Sequence, residues 1–347
     1  MTVNNRIFYA VHAAGMAADG VTTRTYVHGV QSIGITTNFD LEEIFELGQI
    51  SQYENVENVP DIEITVEKVL DGHPLVYHLA TEDASSSTLA GRSAAKCQLT
   101  LGVWPDTNDS ASGNPLVEVD MSGLFVSALS YDLPVEGNFT ENVTLVGNHK
   151  QWSSANNLLA GVSDNTDAPL EISASGGVNR REDFIWGASD SVLPAGNGGG
   201  ISGLAGDGTN KTDADGDYIT HVQRIGVSAD FGREELFQLG QRLPYHRFVN
   251  FPVEVTTEIE VLSSSGDLVS ATEAGVVGDN SNLSDKTIVL VAREGTRINL
   301  GTANKLRSVG YTGGDTGGGN VNTVYTYVNF NDFTVTHNND PNTALAV

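Results

Sequence analysis

The sequence predicts a mainly β chain of two tandem homologous β-sandwich or barrel domains, each with a short flanking helix and long loops. Three observations carry that expectation. Residues 26–60 recur without a gap at residues 218–252, with 15 of 35 positions identical, where unrelated segments would share about two or three. Apolar and polar residues alternate with period two after each copy. Short runs rich in Val, Thr, Leu and aromatics are separated by Gly, Asn, Asp and Pro clusters.

The shared positions include Val30/Val222, Gln31/Gln223, Gly34/Gly226, Phe39/Phe231, Phe45/Phe237, Leu47/Leu239, Gly48/Gly240, Tyr53/Tyr245 and Pro60/Pro252. A strand is expected over Val30–Thr36. A short helix is expected next, because Asp40 with Glu43 resembles a capping box, Leu41, Ile44, Phe45 and Leu47 supply apolar contacts, and Gly48 stops the turn. After the proline, a one-residue gap brings Ile62–Thr65 onto Val253–Thr256. Ile62, Ile64 and Val66 alternate with Glu63, Thr65 and Glu67, and Val253, Val255, Thr257 and Ile259 with Glu254, Thr256, Glu258 and Glu260. One face is then core and the other acidic.

Further strands are expected at Cys97–Val103, Phe125–Tyr131, Asn142–Val146, Thr287–Ala292 and Thr323–Val335. His73 and His78 are expected at the start of a strand and on its face. The first domain spans residues 1–153 and the second 218–347. Residues 154–217 form a linker ending in a glycine-rich loop, and the second copy starts either near Arg180 or after that loop.

Of 347 residues, 44 are acidic and 18 basic, a net charge of −26, while 39% are hydrophobic and 18% charged. That hydrophobic share sustains a core. The acid excess argues against gripping nucleic acid or an anionic membrane. A single cysteine, Cys97, excludes an internal disulfide framework and fits assembly in a reducing compartment. Phe8–Ala18 follows Arg6 as a signal peptide would, but His12 and Gly15 interrupt it. No apolar run approaches the roughly 20 residues needed to span a bilayer, so no membrane is expected.

No enzyme is expected. The histidines are scattered, no nucleophile elbow occurs, and Cys97 lies in an apolar alternation. Gly198, Gly200 and Gly203 fit a dinucleotide pattern without its flanking strand and helix. Asp213, Asp215 and Asp217 resemble the start of a calcium loop, but Arg224 stands where the bidentate glutamate belongs, so they are a weak candidate and no metal or cofactor is expected. Charge, however, separates the copies. Residues 38–60 carry Asp40, Glu42, Glu43, Glu46, Glu54 and Glu57 with no base, whereas residues 230–252 balance Asp230, Glu234 and Glu235 with Arg233, Arg242 and Arg247. Such divergence suits copies that meet the other kind rather than their own.

The segments GVQSIGITTNF, FELGQISQYENVENVPDIEIT, GNFTENVTLVGN (Gly137–Asn148) and ADFGREELFQLGQRLPYHRFVNFPVEV resemble the tail tube proteins of tailed bacteriophages, over about half the chain. The resemblance implies a two-layer β domain that builds rings stacked into a hollow tube in the phage tail. Hexameric rings of single-domain members would become homotrimeric, pseudo-hexameric rings here, assembled in the host cytoplasm. Implied partners are further copies of the chain, a sheath if the tail contracts, the tail terminator, baseplate or tip proteins, the tape measure, and genomic DNA in transit without specific binding. Glu63, Glu67, Glu254, Glu258 and Glu260 would then face the lumen and repel phosphate over a screening length of about 8 Å. Arg233, Arg242 and Arg247 would meet Glu42, Glu46 and Glu54 at an interface. The alternative is a β-sandwich surface adhesin or carbohydrate-binding protein with Trp104, Trp152 and Trp186 as ligand platforms. A polysaccharide-degrading enzyme would need a carboxylate pair that no spacing singles out.

Overall fold

Strict alternation puts one side of a strand in the core and leaves the other polar, and this pattern builds the main sheet. The computed structural model describes residues 12–104, 114–154, 158–159, 177–186, 191–195, 200–201, 203–204, 220–263, 269, 284–312 and 320–338. The first half contains β1 (His12–Ala18), β2 (Thr25–Tyr26), β3 (Val30–Asn38), β4 (Leu41–Phe45), β5 (Gln52–Glu57), β6 (Asp61–Val69), α1 (Val76–Ala80), α2 (Leu89–Ser93), β7 (Cys97–Val103), β8 (Val117–Pro134), β9 (Thr140–Gly147) and β10 (Gln151–Ser153). The second contains β11 (Thr220–Asp230), β12 (Arg233–Leu236), β13 (His246–Val249), β14 (Glu254–Ser263), β15 (Val289–Val291), β16 (Arg297–Asn299), β17 (Lys305–Thr312), β18 (Asn322–Phe330) and β19 (Thr334–Thr336).

Eight antiparallel strands form the central sheet in the order β3-β6-β9-β8-β11-β14-β18-β17. Its two halves repeat one plan. Pairing skips Gln31 in β3 and Gln223 in β11, and skips Ser127 in β8 and Arg307 in β17, so each half carries bulges at the same two places. The rungs also correct the sequence alignment. Ile62 lies opposite Thr37 and Val255 opposite Ala229, so Ile62 is level with Val255, two residues beyond its sequence match. A shift of two preserves the faces, and the alternation therefore survives the misalignment.

β8 is 18 residues long and belongs to two layers. As far as Leu124 it pairs with β7 and β10, and from Phe125 with β9 and β11. Gly123, at φ +64°, makes the left-handed turn between the two regimes, a conformation that any Cβ would strain. The β10-β8-β7-β1-β2 layer and α1 cover the first half of the central sheet, and the β15-β16-β19 sheet packs into the second half. One continuous core results, from Met16, Ile64 and Leu145 to Val255, Tyr327 and Val335.

The helix expected over Asp40–Gly48 is instead a β-hairpin, β4–β5, and its counterpart is β12–β13. The apolar residues that suggested a helix have no surface to bury: Leu41, Ile44, Phe45 and Leu47 are all exposed. The α-helices lie elsewhere, between β6 and β7, and the second half has none among its described residues. His78, expected on a strand, lies in α1 and is buried, with Nε2 3.0 Å from the Val335 carbonyl oxygen; His73 stacks on His28. Burial and Arg92 hold His78 down to about 3, so it is neutral.

Candidate assembly interface

Three features meet on the central sheet: a polar face, two outer edges and two hairpins. The polar face carries Glu63 and Glu258, both exposed, with Glu67, Glu254 and Glu260 half-buried. Their neighbours Ile62, Ile64, Val66, Val255, Ile259 and Val261 are buried on the opposite face. Most of these carboxylates have a local partner. Ser32 Oγ donates to Glu67 at 3.0 Å, Asn322 Nδ2 to Glu260 at 2.8 Å, and the Arg307 guanidinium forks onto Glu254, one arm at 2.9 Å. Asp132 and Arg224 pair on the same face at 2.6 Å.

The edges are β3 and β17, each with one strand partner among the described residues. Inside the sheet the corresponding strands are joined: β11, the counterpart of β3, pairs with β8, the counterpart of β17. Val227 lies opposite Tyr131 there, and Ala229 opposite Leu129. Carried to the outer edges, the same register sets Ile35 opposite Tyr311, Thr37 opposite Val309 and Asn38 opposite Ser308. Ile35 with Tyr311 and Asn38 with Ser308 pair like with like, while Thr37 faces Val309 where the internal joint has Ala229 facing Leu129.

The hairpins share one register, with Leu41 opposite Glu57 and Arg233 opposite Val249, yet only one is seated. In β12–β13, Arg233 lies 4.8 Å over the Phe125 ring and donates to the carbonyl oxygens of Val126 and, at 2.6 Å, Ser93. Burial lowers its affinity for the proton to about 10, which still leaves it charged. Arg247 is buried and pairs with Asp61 at 2.7 Å and with Glu235. Arg242 reaches the carbonyl oxygens of Glu57 and Asn58 at 3.2 Å. The three arginines thus meet the first half at backbone carbonyls, the Phe125 ring, Asp61 and Asn148, and among the described residues their bonds do not go to Glu42, Glu46 or Glu54. Those three glutamates lie on the β4–β5 hairpin and its turn, exposed.

Buried polar groups that sequence reasoning missed hold the layers together. Glu141 accepts from the backbone nitrogens of Val76 (2.7 Å) and Tyr77 (3.2 Å) and from the Tyr131 hydroxyl (2.9 Å), tying α1 to the sheet. Glu118 accepts from the nitrogens of Leu158 and Leu159. The Lys68 ammonium meets Asp71 and the His28 carbonyl. None of these lies in a run with a readable spacing.

Other expectations resolve residue by residue. Burial raises the Cys97 thiol far above its usual range, as suits a core side chain. Asp213, Asp215 and Asp217 lie outside the described residues, and no cluster of three metal-ligating side chains occurs among those described. Trp104 is buried with Ala13 and Leu159, while Trp152 and Trp186 are exposed. Among the described residues no helix is long and apolar enough to cross a membrane.

No protein family matches the sequence, and no curated protein does. Some solved structures match parts of the fold. The tube-terminating cap of the anti-feeding prophage is 15% identical over 45% of this chain and 95% of its own, with a TM-score of 0.33. A chain of the six-fold symmetrised baseplate of the same particle is 9% identical over 42% of this chain and 93% of its own, TM-score 0.32. A chain of the extended sheath-tube complex of an extracellular contractile injection system, PVC, is 12% identical over 42% of this chain and 88% of its own, TM-score 0.30.

Proposed function

We propose that the protein is a structural subunit of a phage-type tail tube, made from two copies of one domain and closed into rings by strand pairing. A single observation carries the reading. The β8–β11 joint inside the chain uses two strands whose counterparts, β17 and β3, are left at the outer edges of the same sheet. Joining β17 of one chain to β3 of the next repeats a contact the chain already makes. A head-to-tail contact of this kind closes into a ring and leaves no exposed edge.

The sheet also supports an inside and an outside. Its apolar face is covered by the chain's own second layers, and among the described residues nothing covers its polar face. The bare face therefore lines the channel, with Glu63, Glu67, Glu254, Glu258 and Glu260 on it. The family resemblance implies six copies of the domain, or three chains, per ring. A barrel of the resulting 24 strands, spaced about 4.8 Å apart and tilted about 40°, has a backbone radius of about 24 Å. DNA passing through would meet a surface with an excess of like charge, on which Arg224 and Arg307 are each held by a carboxylate, Asp132 and Glu254. No catalytic role is proposed, and the burial of Trp104 removes one of the three platforms an adhesin would use.

The register is testable. Asn38→Cys and Ser308→Cys in one chain should cross-link neighbouring chains under mild oxidation into closed trimers, visible by mass spectrometry and negative-stain microscopy; buried Cys97 does not compete. Asn38→Cys with Thr312→Cys, four residues out of register, should not. Equal cross-linking by both pairs, or none in assembled tubes, would refute the joint.

A further inference from the structure

We infer that the unseated β4–β5 hairpin docks on the β17–β18 end of a second copy of this chain, with the charges reversed relative to the seat of β12–β13. The inference rests on the ring reading above and adds the partner surface for one hairpin.

The register of the sheet gives the counterpart of each seat residue. Phe125 and Val126, under Arg233, correspond to Lys305 and Leu306, because β8 and β17 share bulges and rungs with β9 and β18. Asp61 corresponds to Glu254 and Asn148 to Phe330 by the same rungs. On the hairpin, Arg233 corresponds to Leu41, Arg247 to Asn55, Arg242 to Ile50, and Val249 to Glu57.

The substitutions are reciprocal. Where the seated hairpin brings arginines to Phe125 and Asp61, the unseated one has the uncharged Leu41 and Asn55, gains Glu57 in place of Val249 and keeps a glutamate, Glu43 for Glu235, at a site holding Lys305. Glu254 is already neutralised there by Arg307. Lys305 pairs with Asp285 at 2.7 Å, but both side chains are more than half exposed (52% and 57%), so the pair is weak and can exchange partners. Apolar surface follows the same logic. Ile50 stands fully exposed at the hairpin tip, Phe39 before the hairpin is 70% exposed where its counterpart Phe231 is buried, and the receiving end exposes Phe330 and Phe251. Exposed apolar groups on both sides, flanked by opposite charges, describe an interface between copies.

Reversed polarity also forbids the wrong joint. An acidic hairpin placed on the Asp61 seat, or a basic one on Lys305, would set like charges together. The two seats therefore accept different hairpins, and first and second halves must alternate around a ring.

The test reverses and then restores the charge. Lys305→Glu alone, or Glu43→Lys with Glu57→Lys, should cut the ring fraction at least tenfold in sedimentation velocity and negative-stain counts. All three changes in one chain should restore it, since every joint then carries both reversals. Ile50→Asp, at a tip that no fold contact uses, should also reduce rings while leaving the melting temperature unchanged. Rings that persist in Lys305→Glu and Ile50→Asp would overturn this joint alone, as would a triple variant that stays dispersed. A wild-type chain that forms no rings would overturn the ring reading itself.

Discussion

Replacing Arg247 with Met should loosen the β12–β13 hairpin without unfolding the chain, and hydrogen exchange on dispersed protein can measure how far. The guanidinium is 7% exposed and ties the hairpin to Asp61 and Asn148 of the first half as well as to Glu235 on its own strand pair. A buried charge-assisted bond contributes about 1.5–3 kcal/mol. Asp61, however, is 54% exposed, so solvent already screens the cross-half bond and the lower end applies. Met keeps the packing of the aliphatic stem and removes the charge. A loss of about 1.4 kcal/mol corresponds to about tenfold faster exchange for β12 and β13 amides, which open as a local unit. The unseated β4–β5 amides serve as the internal reference and should exchange faster than β12–β13 in the unmodified chain. Two results would refute the reasoning: equal protection of the two hairpins before mutation, or unchanged β13 exchange after it.

Two further predictions concern buried acids. Glu141→Ala orphans three buried donors, so a loss of about 4 kcal/mol is expected, and a melting point lower by about 8–16 °C; Tyr131→Phe should cost less than half as much, and equal effects would discount the backbone bonds of Glu141. Glu294 is pushed up to about 7, chiefly by burial, against bonds from Thr296 and Asn179 that favour its anion. Between the ordinary value of 4.5 and 7 the folded chain holds a proton that the unfolded chain has released. Stability must therefore fall as pH rises through that window, by about 3 kcal/mol in total. Glu294→Gln should flatten denaturation midpoints measured from pH 5 to pH 8, and an unchanged slope would exclude Glu294 as the cause.

The sequence made some elements legible and hid others for physical reasons. β3, β6, β11 and β14 showed themselves because each buries one face only, and a period of two is then written into the residues. β7 was found from its β-forming residues although both its faces are buried. The β4–β5 hairpin was misread because a cap-like Asp40 and Glu43 with apolar residues three and four apart satisfy a helix equally well. Spacing cannot reveal that nothing covers those residues. The repeat did hold a warning: Gly232 replaces the capping Asp40, and Gly48 and Gly240, at φ +90° and +88°, stand between two strand-length runs. The interface arginines were visible as a charge difference between copies. Several of their partners were not, because the carbonyl oxygens of Ser93, Val126, Glu57 and Asn58 are acceptors that carry no residue identity.

A contact made once within a chain and again between chains faces two different demands. The β8–β11 joint and the seat of β12–β13 bring together segments of one polypeptide, whose effective concentration is on the order of millimolar whatever the chain's abundance. Modest bonds suffice there: backbone carbonyls, one half-exposed aspartate and a ring face. The proposed outer joint would have no such tether and would have to recruit its partner from solution against lost translational freedom. More apolar surface is then required, together with charge that steers the approach. The unseated hairpin differs from the seated one in that direction, with Leu41, Ile50 and a surplus of glutamate where its counterpart has Arg233, Arg242 and a balanced charge. On this argument the divergence of the two copies is concentrated where an intramolecular contact and an intermolecular one need different strengths. The bulges, and the rung of an aliphatic residue against tyrosine that Val227 and Tyr131 make within the chain and Ile35 and Tyr311 would make between chains, have been kept.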